Sequence, residues 1–154
     1  MEVSSMAKIS ELDAVKIQAR AMIPVVKALE SEFGKEKVHA IVGKAIAESY
    51  AEFVSTRITD RNTHPGETDQ SLDYDVDSEV VEHTDKTYFV NMTRCAYADY
   101  FRKIGETEIG ALLACGMDFP VEKKLRPNWE FRRTQTLMQG APYCDFRWYL
   151  KDSE

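Results

Sequence analysis

The segment NWEFRRTQTLMQGAPYCDFRWYL, residues 128–150, decides the fold because apolar and polar side chains alternate on both sides of a turn. Alternation with a period of two predicts β-strands that bury one face. We expect one strand over Asn128–Met138, a turn over residues 139–142 and a last strand over Tyr143–Leu150. The segment therefore predicts an antiparallel β-hairpin.

The faces of this hairpin follow from its pairing. We align the strands by placing Met138 opposite Tyr143 across the turn, and antiparallel pairing then sets Arg133 opposite Trp148. A slip of one residue would exchange the two faces. The face that we expect to form the core carries Phe131, Leu137, Cys144, Phe146, Trp148 and Leu150.

Two polar residues, Arg133 and Gln135, interrupt this apolar face. A guanidinium without a partner in an apolar site costs several kcal/mol. Arg133 must therefore meet a carboxylate or reach solvent at a sheet edge. Because arginine binds a carboxylate through two parallel hydrogen bonds, that carboxylate can belong to the protein or to a ligand, and the sequence leaves both open.

Two amphipathic helices are expected before this region. Ser10 is placed to cap the first helix, whose apolar residues recur at helical spacing until Gly34 ends it. The second helix is expected over Lys35–Thr59, and the short connection predicts an antiparallel helical hairpin. Residues 60–78 show no periodicity and predict a loop, which at this length is often either a lid or disordered.

The middle of the chain predicts a second β-hairpin and short helices. The strands are expected over Glu79–Thr84 and Thr87–Arg94, followed by short helices over 95–104 and 107–115 and by a turn or short helix over 117–125 that Pro120 breaks. The fold class is therefore α+β, with an N-terminal antiparallel helical hairpin (1–59), a loop (60–78), and an antiparallel sheet of about four strands with short helices between its two hairpins (79–150). Residues 1–154 are expected to form one domain.

Composition narrows the function classes. The net charge is −6 and the sequence pI is about 5.2, with no basic stripe, which argues against nucleic-acid binding. No apolar run approaches the length of about 18 residues that a membrane span needs, and the N-terminus lacks the layout of a signal peptide. The odd number of cysteines, three, favours reduced thiols, so we expect a cytoplasmic protein.

Several motifs in the C-terminal half carry a resemblance to a known family. They are Cys95, the run IGETEIGALLAC that ends at Cys115, Asp118, and the run FRRTQTLMQGAPYCDFRW over residues 131–148. With these motifs the chain resembles the L-2-amino-thiazoline-4-carboxylic acid hydrolases. The resemblance is densest over residues 90–150, and the N-terminal helical hairpin also fits it.

The resemblance implies a hydrolase that opens a C–N bond in a small cyclic amidine-like or amide-like carboxylated substrate. In the reaction that names the family, water adds at the ring carbon between nitrogen and sulfur and yields an N-carbamoyl amino acid. Such chemistry needs an activated water or thiolate, a proton shuttle and a cation. The implied catalytic residues are Asp118 as base, with Cys115, Cys144 and Cys95 as candidate thiols; the implied substrate-binding residues are Arg133 for the carboxylate, and Thr134, Gln135 and Asn91.

Structural roles for the same residues stay open. Each cysteine is also typical of a small buried apolar residue. Asp118 is equally suited to cap a helical turn before Pro120, and Asp145 is expected to face outward in an ion pair with an arginine. Nothing in the sequence has the spacing of a nucleophilic triad.

Two other functions compete with the hydrolase. The ending GAPYCDF also resembles 4-vinyl-reductase-type ligand-binding domains, which implies a non-catalytic sensory module. Some of those domains bind zinc through cysteines and a glutamate, but the corresponding positions here, Arg133 and Thr136, are not zinc ligands. No cofactor is predicted, although a cysteine-ligated divalent metal stays an alternative. The expected partner is a small carboxylated molecule. The two long amphipathic helices are compatible with a homo-oligomer, but the sequence does not decide the oligomeric state.

Overall fold

The computed structural model describes residues 9–57, 62–67 and 75–152. The expected helix end at 58–59 and the parts 60–61 and 68–74 of the expected loop lie outside the described residues. Within these described ranges, no helix combines the length and the apolar character that a membrane span requires.

The N-terminal helical hairpin is confirmed. Helix α1 spans Glu11–Phe33, and the Ser10 hydroxyl caps it by accepting the backbone N–H of Asp13 at 3.1 Å. Gly34 ends α1 with φ of +85°, a conformation that glycine adopts without steric cost. Helix α2, Lys35–Arg57, then returns along α1.

The four-stranded antiparallel sheet and the α+β class are also confirmed. Its strands are β1 (Val76–His83), β2 (Thr87–Cys95), β3 (Trp129–Arg132) and β4 (Cys144–Leu150), in the spatial order β1-β2-β4-β3. Residues 76–78, expected as loop, belong to β1, whose ladder with β2 continues as far as Cys95. The C-terminal strand β4 therefore lies in the middle of the sheet.

The short helices lie between the helical hairpin and the sheet. They are α3 (Ala96–Lys103), α4 (Thr107–Gly110), which continues into a π-helical segment over Ala111–Cys115, and α5 (Asp118–Leu125). Helices α1 and α2 contact these elements, and one core joins all three layers. Its buried residues are Ala19, Val26, Val38, Ala98, Phe101, Ile109, Leu113, Leu137, Met138 and Cys144.

The expected strand over Asn128–Met138 is too long, because β3 ends at Arg132. The Asp145 carboxylate accepts the backbone N–H groups of Thr134 at 2.9 Å and Gln135 at 2.8 Å. These two donors are therefore not free for a strand ladder. The chain then forms a 3₁₀ turn over Leu137–Gln139.

The expected register of the last hairpin is also wrong. Trp148 pairs with Phe131, whereas the alignment across a four-residue turn placed it opposite Arg133. The 3₁₀ turn takes up residues that we had assigned to the strand, so the register shifts by two. Because the shift is even, the predicted core face is kept, and Phe131, Phe146 and Trp148 pack together.

Gly110 tests the packing that holds these short helices. A Cβ atom there would lie 2.4 Å from Cγ of the fully buried Phe101, so Gly110→Ala forces the core apart. We expect this variant to lose about 2–3 kcal/mol of unfolding free energy, measured by urea denaturation.

The matched control is Gly116→Ala. Its Cβ would meet only the carbonyl oxygens of Ala111 at 3.4 Å and Leu112 at 3.6 Å, which are ordinary contacts, and its backbone is already helical. Its stability should stay within about 0.5 kcal/mol of the wild type or rise. Equal loss in both variants would contradict the proposed packing at Gly110.

Candidate active site

Arg133 lies at the centre of the candidate site. It directly follows β3, and only 9% of its side chain is exposed. Its Nη1 donates to Oδ2 of Asp118, and its Nη2 donates to the carbonyl oxygen of Cys115 at 3.1 Å. The sequence left open whether the carboxylate beside Arg133 belongs to the protein or to a ligand. In this structure it belongs to the protein, as the side chain of Asp118.

Two aromatic rings flank the guanidinium. Its central carbon lies 5.1 Å from the ring centroid of Phe119 and 5.6 Å from that of Phe146. Both distances allow a cation–π attraction. Arg133 is therefore held by a carboxylate, a carbonyl and two aromatic faces.

Asp118 begins α5 and is the more accessible partner, with 29% of its side chain exposed. Burial raises its pKa to about 7, the positive charge of Arg133 acts in the opposite direction, and the negative charge of Glu122 adds to the rise. A carboxyl group with such a pKa occurs in both protonation states near neutral pH. This is the property that acid–base catalysis requires.

The three cysteines converge on this ion pair. Cys95 ends β2, Cys115 ends the π-helical segment and Cys144 begins β4, yet all three join the same core and each interacts electrostatically with Asp118. A π-helical segment is common at functional sites, and here it sets the Cys115 carbonyl against Arg133.

The thiols of this cluster are held in the neutral form. Burial raises the pKa of all three, and that of Cys115 reaches about 12. Cys144 is buried, and its Sγ accepts the backbone N–H of Leu137 at 3.2 Å. A resting thiolate is therefore disfavoured at each position.

Thr134 and Gln135, two of the predicted substrate-binding residues, contact other parts of the protein. The Thr134 hydroxyl donates to Oδ2 of Asp145 at 2.6 Å, and the Gln135 side chain donates to the carbonyl oxygen of Tyr143 at 3.0 Å. The expected ion pair of Asp145 with an outer-face arginine is replaced by these backbone and hydroxyl donors. Asp145 thus shapes the chain that follows Arg133.

Asn91 is not brought to the ion pair. It pairs in register with Asp145 on the face of the sheet opposite to Val90, a core residue. Its side-chain oxygen accepts from Nη2 of Arg147 at 2.8 Å. The structure therefore groups Arg133 and Asp118 with the cysteines and leaves Asn91 on the outer face.

Glu122 is a site residue that the sequence analysis missed. Its Oε2 accepts Nε1–H of Trp148 at 2.8 Å and Nη1–H of the buried Arg126 at 2.7 Å. The spacings from Asp118 to Glu122 and from Glu122 to Arg126 are both four residues, which places the three side chains on one side of α5. The spacing of four residues from Asp118 was the sequence signal from which Glu122 could have been predicted.

No metal site is evident in the part of the chain that the structure describes, since no group of three or more His, Cys, Asp or Glu side chains is arranged to hold an ion. The chemistry available to this site consists of one cation, one carboxyl group of raised pKa and three neutral thiols.

A family model described as L-2-amino-thiazoline-4-carboxylic acid hydrolase matches residues 14–148. No curated protein matches the chain significantly. Among solved structures, the phenol-responsive sensory domain of the transcription activator PoxR, crystallised with phenol, is similar with a TM-score of 0.48 and 10% identity, over 84% of this chain and 73% of that chain.

Thiol alkylation tests the protonation state of the cysteines. A rise of the Cys115 pKa from 9.0 to about 12 lowers the thiolate fraction at pH 7 about 1000-fold. We expect iodoacetamide to label Cys115 in the native protein at least about 1000-fold more slowly than in guanidinium chloride, as followed by peptide mass spectrometry. A native cysteine that is labelled at pH 7 as fast as in the denatured chain would contradict the neutral-thiol assignment.

Proposed function

This chain belongs to the L-2-amino-thiazoline-4-carboxylic acid hydrolase family, and we propose that it hydrolyses a small cyclic amidine or amide that carries a carboxylate. The observation that carries this proposal is the buried pair of Arg133 and Asp118, with Asp118 the more exposed partner. One cation for an acidic substrate and one carboxyl group of raised pKa are the two groups that such a hydrolysis needs.

Arg133 is proposed to bind the substrate carboxylate. Its guanidinium presents paired N–H donors that match the two oxygens of a carboxylate. The rings of Phe119 and Phe146 fix the orientation of this group and offer an apolar surface to the substrate ring. A small flat molecule with one carboxylate fits these features.

Asp118 is proposed to move the protons of the reaction. It takes a proton from the attacking water as the water oxygen bonds to the ring carbon, and it returns a proton to the ring atom that leaves. In a cyclic amide the C–N bond breaks at that carbon. In a thiazoline, an N-carbamoyl product requires the C–S bond to break, and the two hydrogens of water end on the ring nitrogen and the sulfur.

Water, rather than a thiolate, is the proposed nucleophile. The raised pKa values of Cys95, Cys115 and Cys144 keep these thiols protonated, whereas Asp118 is suited to activate a water. The cysteines then contribute an apolar, weakly hydrogen-bonding wall. We further propose a cytoplasmic location, where the three free cysteines stay reduced.

Gln135 remains the proposed hydrogen-bonding residue for the substrate, because it is partly buried and follows Arg133 by two positions. Thr134 and Asn91 are proposed for the same role. In this structure the side chains of all three residues bind other groups of the protein: the Tyr143 carbonyl for Gln135, Asp145 for Thr134 and Arg147 for Asn91.

A second candidate function is binding of a small carboxylate without turnover. It is favoured by the neutral state of all three thiols and by the hydrogen bonds through which both terminal nitrogens of Arg133 already bind groups of the protein. The two candidates differ in one result. A carboxylate that raises the melting temperature but is recovered unchanged supports binding alone.

Two substitutions test the proposed enzyme with 2-amino-thiazoline-4-carboxylate and related cyclic amides. Asp118→Asn should lower kcat at least about 100-fold, because the proton shuttle is lost. Arg133→Ala should raise KM about 10- to 100-fold, because a charged double hydrogen bond is lost. Product formation is followed by liquid chromatography and mass spectrometry.

Each variant has a matched control. Arg132→Ala removes the neighbouring arginine, which is exposed and paired with Glu130, and Asp99→Asn removes an exposed carboxylate that is paired with Arg102. Both should keep wild-type kinetics. The enzymatic proposal fails if the wild type opens none of these rings.

A further inference from the structure

The binding of an acidic molecule meets an obstacle in this site. Both terminal nitrogens of Arg133 already donate, one to the Asp118 carboxylate and one to the Cys115 carbonyl. A guanidinium has five N–H donors, but only 9% of this side chain is exposed and its more exposed partner is Asp118, so an incoming carboxylate that binds Nη1 has to replace Asp118 there.

We propose that the carboxylate of the bound molecule replaces Asp118 on Arg133 and that Asp118 takes up a proton as it is displaced, so that binding and protonation are a single coupled event. This inference rests on the proposed function, since it takes Arg133 to be the carboxylate anchor. It assigns to Asp118 a role in selecting the ligand in addition to its role in the reaction.

The geometry favours the displacement of Asp118. Arg133 is 9% exposed and is held by the Cys115 carbonyl and by the rings of Phe119 and Phe146, whereas Asp118 is 29% exposed. Asp118 is also the first residue of α5, where a change of side-chain rotamer leaves the helical hydrogen bonds intact. The ligand therefore approaches from the side that Asp118 occupies.

Electrostatics then requires the proton. Two carboxylates beside one guanidinium in an apolar site cannot both stay ionised at low cost, and one of them is protonated. The ligand carboxylate has the guanidinium, so the proton goes to Asp118, whose pKa is already raised to about 7 by burial.

The other groups around Asp118 support this assignment. Glu122 accepts hydrogen bonds from both Arg126 and Trp148, and its negative charge disfavours an ionised Asp118. Helix α2, which packs on α5, contributes Glu52, but Lys124 binds that carboxylate. Among the residues that the structure describes, the thiols of Cys95, Cys115 and Cys144 also interact with Asp118, whose charge raises their pKa values.

The exchange has a consequence for recognition and chemistry. A carboxamide has no negative charge with which to displace Asp118, so the site discriminates against it. Once protonated, Asp118 faces the bound ring as a neutral acid: it first gives its proton to a ring nitrogen, and the carboxylate so formed then takes the proton of the attacking water.

Calorimetric titration with tetrahydrothiophene-2-carboxylate tests the exchange, because this saturated ring has no amidine carbon to hydrolyse and no nitrogen that could take up a proton. At pH 8 free Asp118 is mostly ionised, so binding should take up close to one proton, measured from the heats in buffers of different ionisation enthalpy. Above pH 7 the affinity should fall about tenfold per pH unit, and below pH 6 it should level off. Tetrahydrothiophene-2-carboxamide should bind at least about 100-fold more weakly.

Three results would overturn the proposal: no binding of the carboxylate, binding without proton uptake at pH 8, or an affinity that is constant from pH 6 to pH 9.

In Asp118→Asn the carboxylate should bind with no proton uptake and no dependence on pH, while Arg132→Ala should behave as the wild type. Circular dichroism shows whether Asp118→Asn is folded, and the proton count of the wild type is decisive by itself.

A parallel assay of the wild type with 2-amino-thiazoline-4-carboxylate separates this inference from the proposed function. Proton-coupled binding without turnover would sink the hydrolase and keep the exchange. Turnover with pH-independent binding of the saturated carboxylate would sink the exchange and keep the hydrolase.

Discussion

A guanidinium inside an apolar core must keep an anion beside it, and in this protein that requirement joins Arg133 to Asp118. Separating the two without a substitute leaves an uncompensated buried charge, which typically costs several kcal/mol. The pair connects the segment after β3 with the first turn of α5. A ligand that separates this pair has to place a negative charge beside Arg133 in exchange for the Asp118 carboxylate.

The surrounding structure holds the arginine more firmly than the carboxylate. The π-helical segment directs the Cys115 carbonyl to Nη2, and Phe119 and Phe146 confine the planar group. Beneath it, Glu122 binds Arg126 and Trp148 in a second polar network. This network keeps a negative charge near Asp118, so the same packing that fixes the cation also strengthens the hold of Asp118 on its proton.

The cysteines illustrate how burial decides chemistry. Three thiols beside a carboxyl group and an arginine would suggest nucleophilic catalysis from their identities alone. Burial raises the pKa of each thiol, and the negative charge of Asp118 adds to this effect. Compared with these thiols, Asp118 gains and loses its proton more readily near neutral pH. The site therefore favours acid–base catalysis by a carboxyl group.

Periodicity in the sequence determined the α+β class, the helical hairpin with its Ser10 cap and Gly34 stop, and the face of the sheet on which Phe131, Phe146 and Trp148 meet. These features are local, because they depend on the repeat of apolar residues and on backbone preferences. The register of the last hairpin, the partner of Arg133 and the pKa of Asp118 depend on contacts between distant segments. The Asp145 carboxylate accepts the backbone N–H groups that a longer β3 would have paired in the sheet, and burial raises the pKa of Asp118. Neither effect is encoded in the spacing of neighbouring residues.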